Sequence, residues 1–194
     1  MAEITLKAII SEADLLHWDA EDLQFEVVNG EVIEMSPTGL LHNAIVMNIY
    51  DILKAFVKKH RLGYVGGDGM IYLLQMGETG VQEARVPDVS FFRRGKFPRF
   101  DYNKPVPGAP DLAVEVISPS ESAEAVQDKL RSYFAHGTEQ VWLVYPQTQI
   151  VYQHLRADPR NIRVYSEADI LEPETLFPGL RITVAEFFAA PDLE

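Results

Sequence analysis

Asp111-Leu112-Ala113-Val114-Glu115-Val116-Ile117-Ser118-Pro119-Ser120 decides the fold. Most of it is a short apolar run closed by a turn signal, the pattern of a strand buried on both faces. Glu115 interrupts that run. Side chains alternate along a strand, so Glu115 shares a face with Ala113 and Ile117. A lone buried carboxylate is costly unless it is paired, protonated or bound to a metal. A second acid has a similar setting upstream. Val86-Pro87-Asp88-Val89-Ser90-Phe91-Phe92 reads as another strand, with Asp88 near its start. Acids on two neighbouring strands can hold a divalent cation.

Downstream, residues 122–135 read as a helix and Gln140–Tyr145 as a strand. Strand, helix and strand should form a crossover with parallel strands. Glu115 lies three residues before the end of its strand, about 10 Å at strand rise. Lys129 lies seven residues into the helix, also about 10 Å at helical rise. The two therefore sit at similar depth, and Lys129 is placed to reach Glu115 and Asp88. A lysine beside metal-binding carboxylates can position a water or stabilise a developing anion.

Upstream, residues 11–22 read as a short helix capped by Ser11. Asn29-Gly30 between apolar segments predicts a hairpin. A long helix is expected over Leu40–His60, with Ile45, Ile49 and Leu53 on one face and Gly63 as its stop. Strand-like pieces follow in 64–74, split by Gly66-Gly67, then a turn at 77–80. Residues 93–110 look like the longest loop, with four prolines. Further strands are expected near 149–155 and 161–165, and a last helix near 184–189. The order of elements predicts an α/β fold with a mixed sheet.

The chain has 194 residues, 47% of them apolar, a length and composition suited to one domain over 1–194. It lacks cysteine, which excludes disulfides and thiolate metal sites. No uninterrupted apolar run reaches the roughly 18 residues of a membrane span. The N-terminus lacks a basic segment before an apolar one, so no signal peptide and a cytoplasmic location are expected. A net charge of −12 argues against broad electrostatic binding to nucleic acid. Local charge matters more: Arg93, Arg94, Lys96, Arg99 and Lys104 interleave with Phe97, Phe100 and Tyr102. Cations among aromatics suit nucleic-acid contact, and equally suit a solubilising loop.

Other candidates carry two readings. Asp88 either binds a cation or caps a turn after Pro87. Glu115 either binds it or forms a buried ion pair with Lys129. His42, on the stripe with Ile45 and Ile49, is either a packed histidine or a site residue. Glu31 and Glu34 read as solvent-facing hairpin acids or as support for the site, and Asp111 as the end of its loop.

Asp88 and Glu115 match the Pro-Asp…Glu pattern of restriction-endonuclease-like proteins. More closely, the chain resembles the Uma-two family of endonucleases. The landmarks are Asn29-Gly30-Glu31…Glu34-Met35-Ser36-Pro37, His42, Arg85–Val89, Pro110–Ser120, Lys129…Tyr133…Gly137, Trp142-Leu143-Val144 and Phe177-Pro178-Gly179-Leu180. The resemblance implies a restriction-endonuclease-like core: a mixed central β-sheet flanked by helices, plus the N-terminal hairpin. It implies a metal-dependent endonuclease that hydrolyses DNA. Mg²⁺ or Mn²⁺ would be held by Asp88, Glu115 and the Val116 carbonyl, with Lys129 and His42 in the catalytic set. A homodimer is expected, since such folds commonly pair to cut two strands. The usual strand lysine is Ile117 here, and Lys129 would supply it from the helix. Three positions that are usually acidic in the pattern are Ala125, Gln140 and Tyr145 here. The alternative is a restriction-like fold without activity, serving as an interaction module.

Overall fold

The structure, a computed structural model, describes residues 9–20, 25–35 and 37–190. The first eight residues, on which the signal-peptide expectation rests, lie outside the described ones, as do positions 21 and 22 of the expected first helix. In chain order the elements are α1 (Glu12–Ala20), β1 (Phe25–Val28), β2 (Glu31–Glu34), α2 (Leu40–His60) and β3 (Gly63–Gly66). Then come β4 (Tyr72–Gly77), β5 (Gly80–Arg85), β6 (Val89–Arg93), β7 (Val106–Pro107), β8 (Leu112–Val116) and α3 (Ala123–Ala135). The remainder are β9 (Gln140–Tyr145), β10 (Ile150–Leu155), β11 (Ile162–Tyr165), β12 (Ile170–Leu171), β13 (Ile182–Thr183) and a 3-10 helix over Val184–Phe188.

The principal sheet has the order β11-β10-β9-β8-β6-β3. Its strands β8 and β9 are parallel, as a crossover through α3 requires, and its other neighbours are antiparallel. The alternation of β8 sorts the core. Leu112, Val114 and Val116 face α2 and the C-terminal segment, packing with Ile45, Ile49, Leu53, Trp142 and Phe187. Ala113 and Ile117 face α3, packing with Val126, Leu130, Tyr133 and Val141. Glu115 therefore points at α3. α2 is long and apolar enough to cross a bilayer by length and composition. Its buried stripe, Ile45, Val46, Ile49, Leu53 and Val57, is spent on the sheet instead.

The hairpin is not an appendage. Asn29 and Gly30 take φ of 52° and 77°, the left-handed turn that two-residue hairpins need. β1 then continues into a second sheet, β2-β1-β5-β4-β7. Its β5 falls where the sequence reading placed no strand. The expected strand over 86–92 begins only at Val89, and a separate strand, β5, ends just before it at Arg85. β5 belongs to the second sheet and β6 to the first, and Val86-Pro87-Asp88 carries the chain across. Asp88 thus sits where the two sheets meet.

One further expectation changes and another holds. α2 is stopped by Arg61, which adopts φ 56°, and not by Gly63. Gly63 lies in β3, where a Cβ would stand 2.0 Å from the Phe92 carbonyl oxygen. Its role is close strand approach. Ser11 does cap α1: its amide and hydroxyl both donate to Asp14 Oδ2, and its Oγ accepts from the Asp14 amide.

Candidate active site

The site forms at the C-terminal end of β8, where the first turn of α2, the middle of α3 and the inter-sheet crossing converge. β6 and β8 are antiparallel, with Val89 opposite Val114. One step further along that register sets Asp88 across from Glu115. Asp88 Oδ2 accepts the Val116 amide at 2.6 Å. This replaces a ladder bond that β6 cannot make past its first residue, and it fixes the carboxylate. Asp88 Oδ1 lies 3.5 Å from His42 Nε2. That nitrogen is 2.9 Å from the Val116 carbonyl oxygen. His42 is therefore at the site, not merely packed on its helix. Burial alone would lower its pKa, but Asp88, the Val116 carbonyl and Asp68 together hold it above the usual value.

Glu115 is 2% exposed. Oε2 accepts from Lys129 Nζ at 2.9 Å and Oε1 from Tyr133 OH at 2.7 Å. Lys129 and Tyr133, four apart, share the face of α3 turned to the sheet. Lys129 also reaches Glu121 Oε1 at 3.0 Å. Lys129 thus meets Glu115 as its depth predicted, while Ile117 lies buried in the apolar layer beneath α3. Burial pushes the Glu115 carboxyl up to about 7, despite Lys129, with Asp88 and Glu26 pushing the same way. Burial would lower the Lys129 pKa, but Glu115, Glu26 and Glu121 outweigh it and raise it. Burial thus drives the Glu115 shift, and neighbouring acids drive that of Lys129.

A second ionic group lies beside the first. Arg85, 3% exposed, donates from Nη1 to Glu26 Oε2 at 2.8 Å and from Nε to Glu83 Oε1 at 2.9 Å. Ser132 on α3 donates to the same Glu83 oxygen. Sequence reasoning missed Glu26, Glu83, Glu121 and Ser132 as neighbours of the site. Charged residues alternating with apolar ones along β1 and β5 look like a solvent face, and here that face is buried under α3.

These residues enclose a cavity of about 270 Å³. Asp88, Glu115, Val116, Lys129, His42 and Glu121 border it, with Glu34 and Ala125 at its wall. Glu31 is exposed outside it. Gln140 is elsewhere: its Oε1 accepts from Trp142 Nε1 and Gln153 Nε2 within the principal sheet. Tyr145 packs against Tyr152. The neutral residues at 140 and 145 therefore serve packing and an amide network. Asp111 does more than end a loop. It accepts from the Arg93 amide and guanidinium and from Lys96 Nζ. Arg93 is also paired with Glu139. Two of the loop's five cations are thus spent inside the protein.

Among the described residues no group of three or more His, Asp or Glu side chains gathers as a ready metal site. What the site does offer is two carboxylates and the Val116 carbonyl. An all-oxygen set suits Mg²⁺ or Mn²⁺, which keep waters in their remaining positions. Burial first, then Asp88 and Glu26, raises the Glu115 carboxyl, and a bound cation would favour its charged form. On those grounds the residues fit a divalent ion.

Residues 12–185 match the Uma2 (Uma-two) family, described as "Putative restriction endonuclease". The chain belongs to this family. The match includes both sheets, all three helices and every residue of the cavity. The fold is shared with a solved structure from Anabaena variabilis ATCC 29413, described as "a putative nuclease belonging to DUF820". The two align with a TM-score of 0.75 over 92% of this chain and 97% of that one, at 21% identity. No protein of curated function matches the chain. Restriction-endonuclease-like families generally use divalent metals.

Proposed function

We propose that this Uma2 protein is a divalent-metal-dependent endonuclease that hydrolyses DNA phosphodiester bonds. The observation that carries the reading is the lysine. Lys129 comes from the helix to stand 2.9 Å from Glu115, while Asp88 and the Val116 carbonyl border the same cavity. Asp88, Glu115 and Val116 would hold Mg²⁺ or Mn²⁺. Such an ion supplies Lewis-acid polarisation of the phosphate and a bound water of lowered pKa. Tyr133 holds the Glu115 carboxylate in one rotamer through Oε1. Lys129 donates toward the reacting phosphate and offsets charge in its transition state. His42 keeps Asp88 and the Val116 carbonyl in register and can carry a proton at Nε2. The chain's own charge requires the cation, because carboxylates at the cavity would otherwise repel a phosphate.

A specific observation favours a second reading. Both Glu115 oxygens already have partners, as in a structural ion pair of an inactive interaction module. A nuclease assay on mixed DNA substrates separates the two. Cleavage that needs Mg²⁺ or Mn²⁺ and is lost in Asp88→Ala supports the enzyme. Absence of cleavage on every substrate, with no metal binding, supports the module.

A further inference from the structure

The loop between β3 and β4 lies near two sites. Its Met70 Sδ stands 3.9 Å from the Oγ of Ser90, two residues along the chain from Asp88. Gly69, Met70 and Ile71 line a second cavity, of about 960 Å³. Its charge is the reverse of the first. Lys58, Arg61, Arg94 and Lys104 line it, and among the described residues no Asp or Glu does, although Lys104 stands 3.6 Å from Glu12. Lys58, Arg61 and Arg94 are exposed and form no ion pair among the described residues. Along its wall runs a file of rings. Tyr64 stacks on Phe92 at 5.6 Å, Phe92 meets Phe97, Phe97 meets Phe100, and Phe100 meets Tyr102 edge-on. The inner rings are half-buried, as a wall needs. The end rings are not: Tyr64 is 54% and Tyr102 89% exposed.

We infer that this second cavity binds unpaired nucleotides of the DNA substrate, resting on the nuclease reading above for the identity of the polymer. Lys58, Arg61 and Arg94, which have no ion pair among the described residues, attract a phosphate backbone against the protein's overall charge of −12. Ring faces offer stacking, which only unpaired bases can use, because bases in a duplex are already stacked on each other. A duplex would present phosphates alone and leave the rings idle. The shared 67–71 loop sets this anchor beside the reacting centre. The enzyme therefore acts on DNA with a single-stranded or frayed segment next to the bond that is cut.

The test is fluorescence anisotropy with labelled oligo(dT) and a hairpin duplex, in EDTA, so that the acidic site takes no part. The whole chain should bind oligo(dT) more tightly than the duplex. Tyr102→Ala and Tyr64→Ala should each weaken oligo(dT) about tenfold. Arg94→Glu should weaken it and lower the salt dependence, by a log–log slope of about 0.7 for the contact removed. Tyr102 and Arg94 are exposed, so those variants keep the fold. Equal affinity for both DNAs, affinity unmoved by these variants, or dTMP binding as tightly as oligo(dT) would each overturn the inference. A protein that holds oligo(dT) here yet cuts nothing with Mg²⁺ would sink the nuclease reading alone. One that cuts duplex equally well in wild type and Tyr102→Ala, with no preference for unpaired DNA, would sink this one alone.

Discussion

α3 presents two buried ionic groups to the sheets, one through Ser132 and one through Lys129 and Tyr133. They differ in how completely their charges are answered. Around Arg85, the guanidinium fork reaches Glu26 and Glu83 together, and Ser132 adds a hydrogen bond. Glu26 also accepts the Val86 amide, which ties the chain to the corner where it leaves β5. That cluster braces the second sheet against α3. Around Glu115, one ammonium serves Glu115 and Glu121, and among the described residues Asp88 has only His42 at its outer oxygen. Acids there exceed permanent cations by more than around Arg85, although Arg85 and Glu26 border the same cavity. Buried charge alone does not mark a functional site. Unanswered charge at a cavity does.

Substitution should separate the two by size of effect. Arg85→Met strands two buried carboxylates, and such losses cost about 3–5 kcal/mol. Denaturant titration should show this cost unchanged between EDTA and Mg²⁺. A cost under about 1 kcal/mol would mean that the cluster does not brace the fold. Lys129→Met should cost less in EDTA, about 1–3 kcal/mol, because Tyr133 still donates to Glu115 and the carboxyl can take a proton. Here Mg²⁺ should shrink the cost, and cleavage should be abolished while metal binding persists. A Lys129→Met protein that cuts at the wild-type rate would remove the catalytic assignment. Tyr133→Phe deletes one hydrogen bond to Glu115, a loss of about 1–2 kcal/mol. Its cleavage rate should fall while Glu115 still binds metal.

The groups should also differ in pH response. Burial raises Glu115 from 4.5 to about 7 in the folded protein. Between those values the folded state holds the extra proton, so the Glu115 contribution to stability falls as pH rises. Urea midpoints of wild type, taken relative to Glu115→Gln, should therefore decline from pH 4.5 to 7 in EDTA. Mg²⁺ should flatten or reverse that decline. Burial opposes the charge on Arg85, but Glu26 and Glu83 outweigh it and raise its pKa, so it stays charged throughout this window. A flat difference profile in EDTA would mean that Glu115 is answered as fully as Glu83.

Much of this site was legible in the chain. Rise per residue alone matched Lys129 in depth to Glu115, and a turn pair placed the hairpin. What escaped the reading was whatever inverted the usual meaning of a residue type. Glu83 and Arg85 alternate with Gln82 and Ala84 like a solvent face, so β5 and the second sheet went unseen. Asp111 looked like loop punctuation, but it draws in Arg93 and Lys96, leaving Arg94 to face outward. Gln140 looked like a missing acid, but its amide completes a network with Trp142 and Gln153. In each case a deciding partner lies on another element, Glu26 and Ser132 for β5, Arg93 and Lys96 for Asp111 and Gln153 for Gln140, where no local pattern can show it.

The central claim is that the unanswered charge at Asp88 and Glu115 is answered by a divalent cation. Isothermal titration of Mn²⁺ tests it most directly, in wild type, Asp88→Ala, Glu115→Ala and Arg85→Met under conditions where each is folded. The account predicts one site that disappears in the first two variants and survives in the third. Wild-type protein that takes up no Mn²⁺, or a site that persists in both Asp88→Ala and Glu115→Ala, would contradict it.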